Sequence, residues 1–124
     1  GVALTVEADD AIELAIRPRM LRVVARNLAE NAIRYAGPES TFTLRLERQP
    51  DGAVLLSGKD DGVGVSEAEL PRLFERFYRS DRARASRGTG LGLAIVKHVV
   101  TQAGGSVEAR RGVPHGLEVR CTFP

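Results

Sequence analysis

Strict alternation of apolar and polar residues from Thr41 to Arg48 is the pattern that most constrains how this chain can fold. The apolar side chains share one side of the predicted strand: Phe42, Leu44 and Leu46. A strand of this kind is half-buried, because one face is covered while the other meets water. The pattern therefore predicts a sheet with one covered face.

A turn signal at Pro50–Asp51–Gly52 sends the chain back as an antiparallel strand from Ala53 to Lys59. Every second residue of this return shares one side: Val54, Leu56, Gly58 and Asp60. We therefore expect Asp60 to end the strand facing the covered side of the sheet. A carboxylate in that position needs donors that justify its burial.

An amphipathic helix is predicted from Met20 to Ala36, with Pro18 in its first turn and Gly37–Pro38 at its end. Its apolar side is formed by Leu21, Val24, Ala25, Leu28, Ala32 and Tyr35. Along the edge of that side lie Asn27, Asn31 and Arg34. Carboxamides beside a core are costly unless they have partners, and an amide oxygen suits Mg²⁺. The helix alone leaves two interpretations open: a polar ligand, or asparagines that cap neighbouring backbone groups.

Two glycines in Asp60–Gly64 allow positive φ and a close approach of the backbone to a ligand. The sequence Ser66–Glu69 then predicts a capping box that opens a short helix. The expected buried side of that helix consists of Leu70, Leu73, Phe74 and Phe77. From Tyr78 to Arg87 apolar periodicity is lost among arginines and small residues, which predicts a mobile loop.

A glycine-rich segment, Gly88–Leu93, follows the loop and enters a second helix. The predicted apolar side of that helix comprises Leu91, Ile95, Val96, Val99, Val100 and Ala103. Free N–H groups and the positive end of the helix dipole make such a start an anion cradle. The alternative is a flexible hinge before a core helix. The spacing matches neither the P-loop nor the dinucleotide-binding fingerprint.

The chain ends in a predicted strand pair, Ser106–Arg111 and Leu117–Phe123, that follows Gly104–Gly105 and is joined by Gly112–Gly116. Cys121 faces inward in this pair and is expected to be a core residue. At the other end, strands are predicted at Val2–Glu7 and Glu13–Ile16, with a turn at Asp9–Asp10. His98 is expected to be solvated, and the pattern assigns no role to His115.

Composition limits the possible functions. With 124 residues and 43% hydrophobic content the chain fits one domain with a real core. A net charge of +2, with arginines in local groups, fits a local anion site and does not favour nucleic-acid binding. One cysteine cannot form an internal disulfide, and no apolar run approaches the roughly twenty residues that span a bilayer. We expect a soluble, monomeric cytoplasmic domain cut from a longer protein.

Four segments together resemble the conserved boxes of the sensor histidine kinases, in the family's order and spacing. They are the N box (Asn27–Tyr35), the first glycine box (Asp60–Gly64), the F box (Leu73–Arg79) and the second glycine box (Gly88–Leu93). The resemblance covers nearly the whole chain. It implies the ATP-binding α/β sandwich shared with gyrase, mismatch-repair proteins and heat-shock chaperones, the Bergerat or GHKL fold. That fold is a mixed, mostly antiparallel sheet covered on one face by helices.

The resemblance also implies roles for individual residues around ATP and Mg²⁺. Asn31 is similar to the family's Mg²⁺ ligand, Asn27 to a supporting polar contact, and Asp60 to the acceptor of the adenine amino group. Arg34 and Tyr35 would contact the phosphates or the lid over them, and Arg79 would reach the phosphates. Asn27, Asn31 and Arg79 are thus the expected catalytic residues.

The remaining implied contacts are made by backbone. Gly62 and Gly64 would let the chain pass beside the base. The phosphates would be met by the second glycine box: Gly88, Thr89, Gly90, Leu91, Gly92 and Leu93. The loop Ser80–Arg87 would be the ATP lid. Two departures from the family pattern concern local packing: Gly58 replaces a bulky apolar residue, and the segment before Pro18 lacks an aspartate.

By this resemblance the chain would donate the γ-phosphoryl group of ATP to a histidine on a separate phospho-acceptor domain. That domain and a response regulator receiver domain would be its partners, and the parent would be a membrane-anchored homodimer. Two alternatives are an ATPase or anti-sigma-type serine kinase of the same fold, and a binding module without catalysis. The first would need a glutamate where Asn27 stands, since an amide cannot act as a general base. Glu30 cannot replace it, because it lies about 100° round the helix from Asn31. The second is disfavoured because every box is present.

Overall fold

The computed structural model describes residues 3–8, 16–37, 39–79 and 90–124. Its strands are β1 (Ala3–Ala8), β2 (Thr41–Arg48), β3 (Val54–Asp60), β4 (Ser106–Arg111) and β5 (Leu117–Phe123). Its helices are α1 (Pro18–Tyr35), a 3₁₀ helix (Glu67–Arg72) and α2 (Gly92–Gln102). The sheet has the order β1-β2-β3-β5-β4, in which β1 runs parallel to β2 and the other neighbours are antiparallel. The predicted mixed, mostly antiparallel sheet is confirmed.

The core lies between one face of this sheet and the two α-helices. In β5 every second residue is buried, which places Cys121 opposite Leu56 of β3 in the middle of the sheet. From α1 the buried residues are Val24, Leu28 and Ala32, and from α2 they are Leu93, Val96, Val99 and Val100. The sheet and the helices therefore form two layers, as the resemblance implied.

Helix α1 begins two residues before the predicted Met20 and ends one residue before the predicted Ala36. Pro18 stands in its first turn, where the missing N–H costs nothing, and the chain leaves the helix through Gly37 with a φ of 104°. Arg22, Arg26 and Glu30 are exposed, so the amphipathic prediction is confirmed.

Packing explains why Gly58 stands where the kinase pattern has a bulky apolar residue. A Cβ on this residue would lie 3.0 Å from Cζ of Phe42 and 3.3 Å from Cδ1 of Leu28. The Phe42 ring therefore occupies the space that a larger side chain would need. Because interiors are packed to crystal-like density, the missing volume on β3 is supplied by β2 and α1.

The helix predicted after Ser66 is a 3₁₀ helix, and its capping box does not form. The Ser66 hydroxyl lies 3.5 Å from Oε1 of Glu69, and no side chain caps the backbone. Pro71 lies inside the segment and has no N–H for an α-helical bond, which is a physical reason for the tighter turn.

Two apolar residues predicted to be buried are exposed. Phe77 is 65% exposed with a φ of 67°, so the chain has left the helical path that the spacing from Leu73 assumed. Ile95 is 40% exposed. It lies about 200° round α2 from Leu93, whose side of the helix is the one that packs on the sheet.

Other predictions concern the two ends of the chain. β1 is displaced by one residue from the predicted Val2–Glu7, and the predicted β4 and β5 are confirmed with the same bounds. The turn Asp9–Asp10 and most of Glu13–Ile16 lie outside the described residues. No helix in the described ranges is long and apolar enough to cross a bilayer.

Candidate nucleotide-binding site

Asp60 ends β3 with its carboxylate on the covered side of the sheet, where the side chain is 3% exposed. Its Oδ1 accepts hydrogen bonds from the backbone N–H of Gly62 at 3.0 Å and of Leu117 at 3.2 Å. These donors offset part of the cost of burying the carboxylate and fix its orientation. The hydrogen-bond donors that a buried carboxylate needs are thus supplied by the loop after β3 and by β5.

The loop after β3 lies against the end of α1. Val63 N–H donates to the carbonyl of Ala36 at 3.0 Å, and Asp61 N–H donates to that of Thr41 at 3.2 Å. A Cβ on Gly62 would collide with the Ala36 carbonyl. The structure therefore requires glycine at position 62 for a close approach of two backbones, and it brings the N box beside the first glycine box.

The two asparagines of α1 lie on the side of the helix that faces α2. Nδ2 of Asn27 donates to the carbonyl of Val23 at 2.8 Å, while its Oδ1 lies 3.3 Å from the position of a Cβ on Gly92. Asn31, one turn further on, is half-buried, as is Tyr35, and Arg34 is exposed. Asn27 thus uses its donor on the backbone, as the second interpretation held, and directs its oxygen toward the second glycine box.

Helix α2 begins at Gly92 without a side-chain cap. The first N–H groups of a helix have no partner inside it, and together with the dipole they favour an anion. Gly88 and Thr89 lie outside the described residues. The described part of the second glycine box, Gly90–Leu93, lies at the start of α2. Oδ1 of Asn27 faces this segment at Gly92.

Phe77 and Gly90, which flank segment 78–89, are in direct contact. Phe77 N–H donates to the Gly90 carbonyl at 2.9 Å. Gly90 has a φ of 72°, and a Cβ there would lie 2.7 Å from the carbonyl carbon of Phe77. Ser80–Arg87, the loop predicted as a lid, lies outside the described residues.

Arg79 lies two residues after Phe77 and is half-buried, and its Nε atom is not accessible to solvent. It lines a depression of about 500 Å³ whose other lining residues are Arg72, Glu75, Arg76, Phe77 and Tyr78. The guanidinium of Arg72 stacks on the Tyr78 ring at 4.4 Å. Gly90, just before α2, contacts the backbone of Phe77 and Tyr78, the two residues before Arg79.

Three other titratable residues, Cys121, His98 and His115, lie in different environments. Burial raises the pKa of the Cys121 thiol to about 12, so Cys121 is an inert core residue, as predicted. His98 is exposed, also as predicted. Nδ1 of His115 lies 3.2 Å from the carbonyl of Gly62. The sequence analysis missed this contact, because nothing local to His115 indicates that its turn meets the loop after β3.

Comparison with known proteins places this site in a family. The model of the histidine kinase-, DNA gyrase B- and HSP90-like ATPases matches residues 16–124. The chain belongs to that family. The sensor histidine kinase component HK1 of Mycobacterium tuberculosis is 37% identical over 124 residues, which cover 100% of this chain and 72% of HK1. The phosphate regulon sensor protein PhoR of Pseudomonas aeruginosa is 40% identical over 122 residues, which cover 97% of this chain and 27% of PhoR.

Solved structures agree with this assignment. The mycobacterial sensor histidine kinase MprB superposes with a TM-score of 0.89 at 30% identity, over 99% of this chain and 83% of that one. The ATP-binding domain of PrrB from Mycobacterium tuberculosis superposes with a TM-score of 0.72 at 26% identity, over 98% of this chain and 79% of that one. This member of the ATPase family is therefore a catalytic, ATP-binding domain of the histidine-kinase type.

Some of the predicted site residues of this histidine-kinase-type domain lie together, in two groups. Asp60, Gly62 and Gly64 form one end of the site beside the last turn of α1. Asn27 and the start of α2 form the other end, with Asn31 one turn further along α1. Among the described residues no three His, Cys, Asp or Glu side chains gather as a metal site.

Proposed function

We propose that this domain binds Mg-ATP and donates the γ-phosphoryl group to a histidine on a separate phospho-acceptor domain of a two-component sensor kinase. The observation that carries the proposal is the buried Asp60 carboxylate, whose Oδ1 is held by two backbone donors at the end of β3. A carboxylate fixed in this way is suited to accept a hydrogen bond from the exocyclic amino group of adenine.

The phosphate end of the site would be formed by α1 and α2. Arg34 and Arg79 would supply positive charge, and the start of α2 would supply N–H donors. Mg²⁺ commonly takes one or two protein oxygens together with phosphates and waters, a pattern that the amide of Asn31 fits. Bound there, Mg²⁺ would neutralise charge on the phosphates. Transfer of this kind depends mainly on positioning and electrostatics, which these residues would provide.

Asn27 favours transfer to histidine over attack by water. Its side chain is an amide, which is not basic enough to take a proton from a water or a serine hydroxyl. A neutral imidazole attacks phosphorus without a base at this position. We therefore expect very slow ATP hydrolysis by the chain alone.

The decisive experiment supplies the acceptor in trans. The chain is mixed with its parent's phospho-acceptor domain, Mg²⁺ and ATP labelled in the γ-phosphate, and the label is then tested for acid and alkali stability. A phosphoramidate, which is acid-labile and alkali-stable, is the expected product, and an acceptor without its histidine is the control. Brisk hydrolysis by the chain alone, or an acid-stable ester, would assign it to the ATPases or serine kinases.

The same proposal includes the wider setting. The phosphorylated histidine would serve a response regulator receiver domain. The parent would be a membrane-anchored homodimer that holds this domain on the cytoplasmic side. The chain spans only about a quarter to a third of several relatives it matches, which leaves room for such segments.

A further inference from the structure

The turn between β4 and β5, Gly112–Gly116, packs against the loop after β3. Two side chains join the turn to β3 and to the loop after it. Nζ of Lys59 donates to the carbonyl of Val113 at 2.9 Å, and Nδ1 of His115 lies 3.2 Å from the carbonyl oxygen of Gly62. Because a carbonyl oxygen can only accept, the His115 contact is a hydrogen bond when Nδ1 carries the proton.

The backbones of the turn and the loop are fitted closely to each other. Gly116 has a φ of 102°, and a Cβ there would collide with the carbonyl of Asp60. A Cβ on Gly64, whose φ is 66°, would lie 2.9 Å from the carbonyl oxygen of Gly116. The N–H of Gly112 closes the turn by donating to that same carbonyl at 2.8 Å. The turn can approach the loop this closely only because glycine stands on both sides.

Both donors that hold the Asp60 carboxylate lie next to this contact. Leu117 N–H comes directly after the turn and donates to Oδ1 of Asp60. Gly62 N–H donates to the same oxygen, while the carbonyl of Gly62 faces His115. Gly62 is thus held at its N–H by Asp60 and at its carbonyl by His115, and His115 lies two residues before Leu117.

We propose that the β4–β5 turn is part of the adenine site and that His115 is its positioning residue. By donating from Nδ1 to the carbonyl of Gly62, His115 keeps the loop in the conformation that orients Asp60 toward the base. The inference rests on the proposed function, in which Asp60 accepts a hydrogen bond from the adenine amino group. His115 itself touches no substrate atom in this account.

The test compares ADP with inosine diphosphate, which has an oxygen in place of the exocyclic amino group. Dissociation constants with Mg²⁺ are measured by calorimetry for the wild-type chain, H115A, H115N and the control H98A. We expect H115A to bind ADP about three- to ten-fold more weakly, the range for one modest hydrogen bond, and to lose part of its preference over inosine diphosphate. H115N, whose amide can donate as Nδ1 does, should recover both, and H98A should match the wild type.

Each result decides a different point. A wild type that does not prefer ADP overturns adenine recognition by Asp60, and the inference with it. A wild-type preference that is unchanged in H115A, or equal weakening for both nucleotides, overturns the inference alone. The ring nitrogens of His115 provide a readout that needs no variant, since nitrogen–proton NMR correlations identify the protonated atom. We expect a proton on Nδ1, and a neutral ring protonated only at Nε2 would overturn the inference.

Discussion

Replacing Asp60 should separate the residue's role in the fold from its role in binding. In D60N the amide oxygen can still accept from the N–H groups of Gly62 and Leu117, now 3.0 and 3.2 Å from Oδ1. The other carboxylate oxygen becomes an NH₂ group, which cannot accept from the adenine amino group. Losing a charge-assisted bond and leaving a buried donor unpaired costs about 3 kcal/mol, or roughly 100-fold in ADP affinity.

D60A should instead affect both properties. It removes the acceptor for two backbone donors, and hydrogen bonds to a charged group are worth about 1.5–3 kcal/mol each. Removing the carboxylate also removes the cost of burying its charge. We therefore expect the free energy of unfolding to fall by about 3 kcal/mol. For a domain of 124 residues that corresponds to a Tm lower by roughly 10 °C. D60N should lose less than about 1 kcal/mol, because both backbone bonds persist.

Urea denaturation and thermal melting measure stability in the three proteins, and calorimetry with Mg-ADP measures binding. The expected pattern is a stable D60N with roughly 100-fold weaker ADP binding, beside a destabilised D60A. Wild-type affinity in D60N would refute adenine recognition by this carboxylate. Wild-type stability in D60A would refute the claim that the two backbone bonds hold the loop.

Three further predictions concern other parts of the domain. N31A should bind ADP equally with and without Mg²⁺, because the proposed amide ligand is gone; calorimetry in EDTA and in Mg²⁺ measures this. G58V should lose about 1–3 kcal/mol in urea denaturation, since a Cβ already lies 3.0 Å from the Phe42 ring, and F42L in the same chain should restore part of it. Burial raises the pKa of Cys121 from 9.0 to about 12, so between these pH values the unfolded chain loses a proton that the folded chain keeps. Stability from this group is complete below pH 9.0 and falls above it by up to about 1.4 kcal/mol per pH unit, a contribution that C121A should abolish.

These three predictions fail on different results. Retained Mg²⁺ dependence in N31A would place the metal on other residues. Additive losses in G58V and F42L would mean that the two positions do not share one space. Identical pH dependence of wild type and C121A between pH 9 and 12 would mean that the thiol ionises equally in both states.

Much of the fold was predictable because its elements are amphipathic within their own length. The alternation in β2 and β5 and the helical spacing in α1 each set an apolar side against a more polar one, so the positions of these elements follow from local pattern. The same parity argument placed the Asp60 carboxylate on the covered side of the sheet, where it is 3% exposed.

Local pattern was misleading where the backbone left its regular path. The spacing that buried Phe77 assumed a continuing helix, but the residue has a φ of 67°. The capping-box sequence after Ser66 does not anticipate the effect of Pro71 on the turn. Ile95 fits an apolar side of α2, but which side packs on the sheet depends on how the whole helix is placed.

By itself the sequence determined the helices and strands of both layers and the segments that carry the candidate site. It also determined that the Asp60 carboxylate faces the covered side of the sheet. Periodicity and the conformational freedom of glycine act over a few residues, so these features can be predicted locally. Only the tertiary structure decided which of these segments meet. β5 pairs with β3, so Leu117 reaches Asp60 across 57 residues of sequence, and His115 reaches Gly62 across 53. Contacts of this range depend on strand order and close packing, and no pattern within either segment encodes them.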